Sequence, residues 1–340
     1  MKKRSKTGKI IRMVVCDLLA LGVFLVVFSY FHHVRVVPIE PQQIQRRTPL
    51  PTDAPVVTPQ PVQSGEATTA ENTPEPTPEP TGLLMGQYSD KFSKITVQDE
   101  TGYRSQNVAI ELTTQEMYDS TVHIADIYIN DITSFRTAVF DEFGKNYMQT
   151  LNMANAAGAI LGLSGDHFYA HLQSGVFAIR NGRLYAEKPN RKQDACVLYY
   201  DGAMEVYTAD EIDLDAIYAR DPYHVWYFGP GLLDEEGCAY ESYKSTVAGQ
   251  NPRSAIGYFE PGHYCFVMVE GRFKDSDGVT LRELALIFEE LGCKVAYNLD
   301  GGGTAVMTYN GEVRSRLLSK NGREVSDILY IAEPADGARE

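Results

Sequence analysis

The stretch Tyr297-Asn298-Leu299-Asp300-Gly301-Gly302-Gly303-Thr304 sets a carboxylate beside three glycines, between two apolar runs. Residues 293–297 and 304–309 read as short strands, so the polar segment is a tight loop at a strand end. Glycine lets another group approach the backbone without meeting a Cβ. The amides of Gly301, Gly302 and Gly303 are therefore expected to point at a ligand, with Asp300 beside them. The plainer reading of the same spacing is a glycine-rich turn with a solvated aspartate. Two further polar groups stand at the ends of apolar strands: Asp166, after Leu161-Gly162-Leu163-Ser164-Gly165, and Arg253, within Asn251-Pro252-Arg253-Ser254-Ala255-Ile256-Gly257. Two carboxylates near an arginine suit attack at a sugar carbon. One stabilises positive charge or acts as nucleophile or base, and the other manages a proton. Arginine brings a planar donor fork for phosphate or carboxylate, and free loop amides add donors to the same anion. Loop caps for the aspartates and a buried ion pair for the arginine are the structural alternatives.

The element that positions the glycine loop is a helix. Thr280-Leu281-Arg282-Glu283 forms a capping box, Leu281, Leu284, Ala285, Phe288 and Leu291 share one apolar face, and Gly292 stops the run. This helix feeds the strand that ends at Asn298, so its packing sets where the glycines sit. Upstream, residues 93–97, 107–112 and 121–129 alternate as half-buried strands, residues 147–157 are small and apolar at helical spacing, and residues 159–163 read as a buried strand. Asn181-Gly182 and Asp201-Gly202-Ala203 turn two hairpins. Residues 208–218 read as a helix, 224–229 as an aromatic strand, 264–269 as the partner of the Arg253 strand, and 327–332 as a last strand. Many strands and few helices predict an α+β domain with a mixed β-sheet core and a few packed helices.

The chain has 340 residues and a formal net charge of −14. The first 82 residues hold nine Lys/Arg and seven Asp/Glu, leaving 22 basic against 38 acidic residues from 83 onwards. A domain this acidic is a poor general binder of nucleic acid or anionic lipid, and an anionic substrate needs a local cation. Residues 1–9 are a basic tail, and residues 10–31 form an apolar run of bilayer length broken by Arg12, Asp17 and Ser29. With the basic end held in the cytoplasm, this run predicts an uncleaved transmembrane signal anchor with the rest of the chain outside the cell. Residues 32–82, rich in Pro, Thr and Glu, read as a disordered linker. The extracytoplasmic domain then occupies 83–340. Cys196, Cys238, Cys265 and Cys293 lack metal-type spacing and are expected as free thiols. His167 and His171, four apart but in a strand and turn, make a poor zinc pair, and Asp275-Ser276-Asp277-Gly278 lacks the later carboxylate of a calcium loop. No cofactor is expected, and the sequence leaves a divalent metal open. Trp226 with Tyr223 and Tyr227 suits either sugar stacking or core packing.

Four segments taken in order, Ile179-Arg180-Asn181-Gly182, Trp226-Tyr227-Phe228-Gly229-Pro230, Asn251 to Gly257 and Asn298 to Thr304, resemble the phosphodiester glycosidase family over about 154–331. The resemblance implies hydrolysis of a sugar-1-phosphate diester on the sugar side, with many bacterial relatives tied to exopolysaccharides or wall polymers. It implies that Asp300 and Asp166 are catalytic, and that Arg253, Ser164, Gly165, Asn298, Gly301, Gly302, Gly303 and Thr304 bind the substrate. Arg253 and the loop amides then hold the phosphate, Asp300 faces the anomeric carbon, and Asp166 is a sugar-hydroxyl ligand or proton carrier. Ser164 stands where the family usually has Asn, and Thr304 where Ser is more frequent. The alternative to an enzyme is a catalytically impaired polysaccharide-binding or export-assembly protein on the same scaffold.

Overall fold

The structure, a computed structural model, describes residue 84 and residues 88–140, 147–166, 175–190 and 192–334, all within the unit Glu40–Glu340. The expected tail, membrane anchor and linker, and the pair His167 and His171, lie outside these residues. Among the described residues no helix is long and apolar enough to cross a membrane.

The chain runs through β1 (Val97–Gln98), β2 (Gly102–Arg104), β3 (Val108–Met117), β4 (Ser120–Ile129), β5 (Phe135–Val139) and β6 (Met148–Gln149) to helix α1 (Thr150–Ala157). There follow β7 (Leu161–Ser164), β8 (Phe177–Arg180), β9 (Arg183–Glu187), β10 (Ala195–Tyr199), β11 (Met204–Tyr207), α2 (Leu214–Ala219) and β12 (Pro222–Trp226). The last part comprises β13 (Arg253–Glu260), β14 (His263–Val269), α3 (Leu281–Leu291), β15 (Val295–Asn298), β16 (Met307–Tyr309), β17 (Glu312–Val313), β18 (Glu324–Val325) and β19 (Asp327–Ile331). Asn181-Gly182 and Asn310-Gly311 each place both residues at positive φ, the geometry of a tight hairpin whose twist matches its strands. The helix expected over 208–218 is shorter, because the Asp213 carboxylate accepts from the amides of Asp215 and Ala216 and starts α2 only there.

A seven-stranded sheet has the order β1-β2-β3-β4-β14-β13-β15. Two five-stranded sheets have the orders β11-β10-β12-β8-β9 and β17-β16-β7-β19-β5, and β6 pairs with β18. The β-rich core with few helices is as expected. The mixed sheet is not, since every strand pairing among the described residues is antiparallel. The reason lies in the β14-α3-β15 crossover, the kind of connection that can set two parallel strands side by side. Here α3 carries the chain past β13, so β15 runs in the same direction as β14 but pairs antiparallel with the strand between them.

The crossover also builds one core layer. Leu281, Leu284, Ala285, Ile287 and Phe288 of α3 are buried with Val267, Val269 and Ala255 on one face of the large sheet. The opposite face, with Ile127, Phe266 and Ile256, packs against residues from both five-stranded sheets, among them Leu163, Leu198, Trp226 and Leu329. Trp226, Tyr223 and Tyr227 are all buried, which settles their fate as core. Helix α3 approaches closely at Gly257, where a Cβ would stand 2.7 Å from the sulfurs of both Cys265 and Cys293 and 2.8 Å from Phe288 Cδ1. Those two thiols are free, their sulfurs 3.7 Å apart.

Gly257→Ala is therefore predicted to destabilise the domain by about 1–3 kcal/mol through overpacking, read as a lower urea midpoint. Adding Cys293→Ala, which removes one of the blocking atoms, should recover part of the loss.

Candidate active site

Three strand ends from two sheets meet at the glycine loop. β15 delivers Asp300, β13 begins at Arg253 beside it, and β7 ends at Ser164 on the neighbouring sheet. The Asp300 amide donates to Gly165 O at 3.2 Å, the Gly302 amide to Pro252 O at 2.8 Å, and the Leu299 amide to Ser254 O at 2.8 Å. Gly301 lies so near the β13 entry that a Cβ there would sit 2.5 Å from Pro252 O. Of the three loop amides expected to be free, that of Gly302 is thus spent within the protein. Those of Gly301 and Gly303 have no partner among the described residues.

A pocket of about 200 Å³ opens over this loop, walled by Asp300, the three glycines, Arg253, Arg272, Arg323 and Phe228. Asp300 is half-buried. Thr304 Oγ1 stands 2.8 Å from Asp300 Oδ2 and 2.7 Å from Gly301 O, so its single proton serves one or the other. Arg253 is buried, and burial lowers its pKa to about 10, which leaves it charged at neutral pH. Its fork is partly committed. Nε donates to Val279 O at 3.0 Å, and Nη2 donates to Val247 O at 2.7 Å and to Gly249 O. Nη1 has no partner among the described residues, so one arm of the guanidinium remains for a ligand.

The other predicted site residues stand behind the pocket. Ser164, fully buried, lies 2.8 Å from Ser254 Oγ and accepts from the Val306 amide at 3.2 Å, stitching β7 to the large sheet. Ser164 is thus not on the pocket wall among the described residues. Asn298 donates from Nδ2 to Gly229 O at 2.8 Å, also in the interior. The Asp166 carboxylate is buried. Its Oδ2 accepts from Arg180 Nη2 at 3.1 Å and from the Tyr227 amide at 2.8 Å. Arg180 Nε reaches Asp327 Oδ2 at 3.0 Å, and Asp327 Oδ1 accepts from the Asp166 amide at 3.0 Å. Gly165 makes room for this, because a Cβ there would stand 2.4 Å from Asp327 Oδ1.

Sequence reasoning did not assign Arg180 and Asp327, although each is a charge in an otherwise apolar strand, which is a legible signal of a buried pair. Arg272 and Arg323 gave no such signal. They come from separate loops, and only folding brings them to the glycines: a Cβ on Gly302 would lie 3.4 Å from Arg272 Nη2, and one on Gly303 would lie 3.7 Å from Arg323 Cδ. Arg272 holds a left-handed backbone at φ 63°, uncommon for a residue with a side chain. Among the described residues no three His, Cys, Asp or Glu converge as metal ligands.

Fold and site together define an α+β domain with a carboxylate facing a cationic, amide-floored pocket. Residues 157–332, just over half of the chain, match the profile of the phosphodiester glycosidase family, and the chain belongs to that family. An SPbeta prophage-derived uncharacterised protein, YomE of Bacillus subtilis, is 27% identical over 200 residues, which is 57% of this chain and 31% of that protein. The chain thus spans about a third of that relative's length. Among solved structures, the catalytic domain of zebrafish N-acetylglucosamine-1-phosphodiester α-N-acetylglucosaminidase, auto-inhibited by its pro-peptide, has a similar fold. It gives a TM-score of 0.51 at 19% identity over 72% of this chain and 87% of that one. A hypothetical protein from Synechocystis gives a TM-score of 0.52 at 12% identity over 67% and 62%.

Removing one partner from the Asp166, Arg180 and Asp327 cluster leaves buried charge uncompensated, so Arg180→Met should cost roughly 3–5 kcal/mol in denaturant unfolding. Burial raises the Asp327 carboxyl from its ordinary 3.8 to about 6. The native state then keeps this proton to higher pH than the unfolded chain does. The group's contribution to stability is full below about pH 4 and is lost as pH rises through about 6. Asp327→Asn has no such titration, so its stability relative to wild type should improve between pH 4 and pH 7.

Proposed function

We propose that this chain is a membrane-anchored, extracytoplasmic hydrolase that cleaves the glycosidic bond of a sugar-1-phosphodiester in a cell-wall polymer or exopolysaccharide. The observation that carries this reading is the meeting, in one pocket, of the Asp300 carboxylate with Arg253 and the amides of Gly301 and Gly303, which have no partner among the described residues. The family supplies the reaction class, and the zebrafish relative acts on a sugar-1-phosphodiester by its name.

In this reading the phosphate rests on Arg253 and the two amides, which donate to its charged oxygens. Asp300 faces the anomeric carbon as nucleophile, base or charge stabiliser, and Thr304 orients it from 2.8 Å. Phosphate leaves readily, so little demand falls on a general acid. Asp166 holds the end of β7, and hence Gly165, in place beneath Asp300. Residues 10–31 anchor the chain with its N-terminus in the cytoplasm, and residues 32–82 hold the domain away from the membrane. The substrate is polymeric, and nucleic acid is not a partner.

The full-length chain incubated with sugar-1-phosphodiesters should release free sugar and a phosphomonoester. Asp300→Asn should lower that release by about 10²- to 10⁴-fold, the range for losing a positioned acid or base. Full turnover by this variant would remove Asp300 from the chemistry. The anchor has its own check: the intact chain should stay with membranes through an alkaline wash, and a chain starting at residue 32 should not.

A further inference from the structure

The pocket carries more positive charge than one phosphodiester requires. Among the described residues three arginines line it, Arg253, Arg272 and Arg323, with one carboxylate, that of Asp300, a balance of two positive charges. A phosphodiester brings one negative charge, so one positive charge is left over when it is bound. The surplus is local, because the chain as a whole has a net charge of −14. The three arginines also differ in depth. Arg253 is buried at the β13 entry, whereas Arg272 and Arg323 are exposed and stand over Gly302 and Gly303.

The two exposed arginines have donors to spare. Arg272 Nη2 gives one hydrogen bond, to Asn251 Oδ1 at 2.7 Å, which aims the guanidinium along the pocket wall. The Arg323 side chain has no partner among the described residues. Arg272 is held in this place by a left-handed backbone that an arginine adopts only at some cost, and such positions concentrate at ligand sites.

Resting on the proposed reaction, we infer that the substrate carries a second phosphate next to the scissile one: the scissile phosphate sits at Arg253 and the glycine amides, and its neighbour sits between Arg272 and Arg323. Two sources share that chemistry, a sugar-1-diphosphate ester and a polymer whose successive units are joined by phosphodiesters. In both, the second anion meets the rim guanidiniums through charge-assisted, fork-type hydrogen bonds.

Calorimetric titration of the full-length chain with inorganic phosphate and with inorganic pyrophosphate tests this directly. Pyrophosphate is expected to bind at least about tenfold more tightly, and Arg272→Gln and Arg323→Gln are each expected to bring the ratio of the two affinities toward one. Arg183→Gln, an exposed charge on β9, is the control for general electrostatics and should leave the ratio unchanged. Equal affinities in wild type, or the same fall in Arg183→Gln as in the rim variants, would overturn the inference. Turnover separates it from the reading on which it rests. Equal kcat/KM on sugar-1-phosphodiesters with and without a second phosphate sinks the second site and leaves the hydrolase standing. A pyrophosphate preference without sugar release from any of them retains the second site and removes the hydrolase. Faster turnover of the diphosphate ester or of the phosphodiester-linked dimer identifies which source supplies the second anion.

Discussion

The glycine loop rests directly on the backbone that enters β13, and the rest of the pocket depends on that contact. A main-chain hydrogen bond from Gly302 to Pro252 O, with Gly301 pressed against the same carbonyl, orients the loop, and Thr304 Oγ1 stands 2.7 Å from Gly301 O. The glycines are not interchangeable. Gly301 supplies the close approach, and Gly302 supplies a backbone at φ 66°. With one amide used to seat the loop, the amides on either side of it are left for an anion, and Asp300 is held at their edge.

That contact is reproducible because two sheets are locked together around it. Ser164 and Ser254 join β7 to β13, and the Asp300 amide closes onto Gly165 from the other side. Behind them lie two carboxylates and a guanidinium almost wholly removed from water. Burying such a cluster is costly, and its charge attraction offsets the cost only when the remaining donors and acceptors are also bonded. Arg180 meets that condition with further bonds from Nη1 to Ile179 O and Val225 O. Asp166 Oδ1 does not, having no partner among the described residues. The cluster therefore adds less to stability than to geometry: it ties β8, β19 and the end of β7 to one another.

The electrostatic arrangement has a complementary logic. An acidic domain repels anions over most of its surface, while a concave site with several guanidiniums focuses a positive potential in one place. Committing most of the Arg253 fork to backbone carbonyls contributes to the same end, since a cation held by three carbonyls keeps its position whether or not a ligand is present.

What could be read from the chain alone was whatever is encoded locally. The capping box of α3, its apolar face, the Asn-Gly turns and the glycines after Asp300 each report on a few adjacent residues, and the structure shows them where their spacing placed them. The likeness in four ordered segments carried the family. The position of α3 beyond β13 was not legible, and so the antiparallel pairing of β15 was not either, because strand order is chosen by packing across the sheet. Nor was the split between Asp300, which faces the pocket, and Asp166, which turns inward. Both follow an apolar strand, and only the presence of Arg180 and Asp327 decides which one is taken into the core. Arg272 and Arg323 illustrate the same limit. Each lies in a loop with no periodicity of its own, and their convergence over the glycines depends on contacts between residues distant in sequence, which tertiary structure alone brings together.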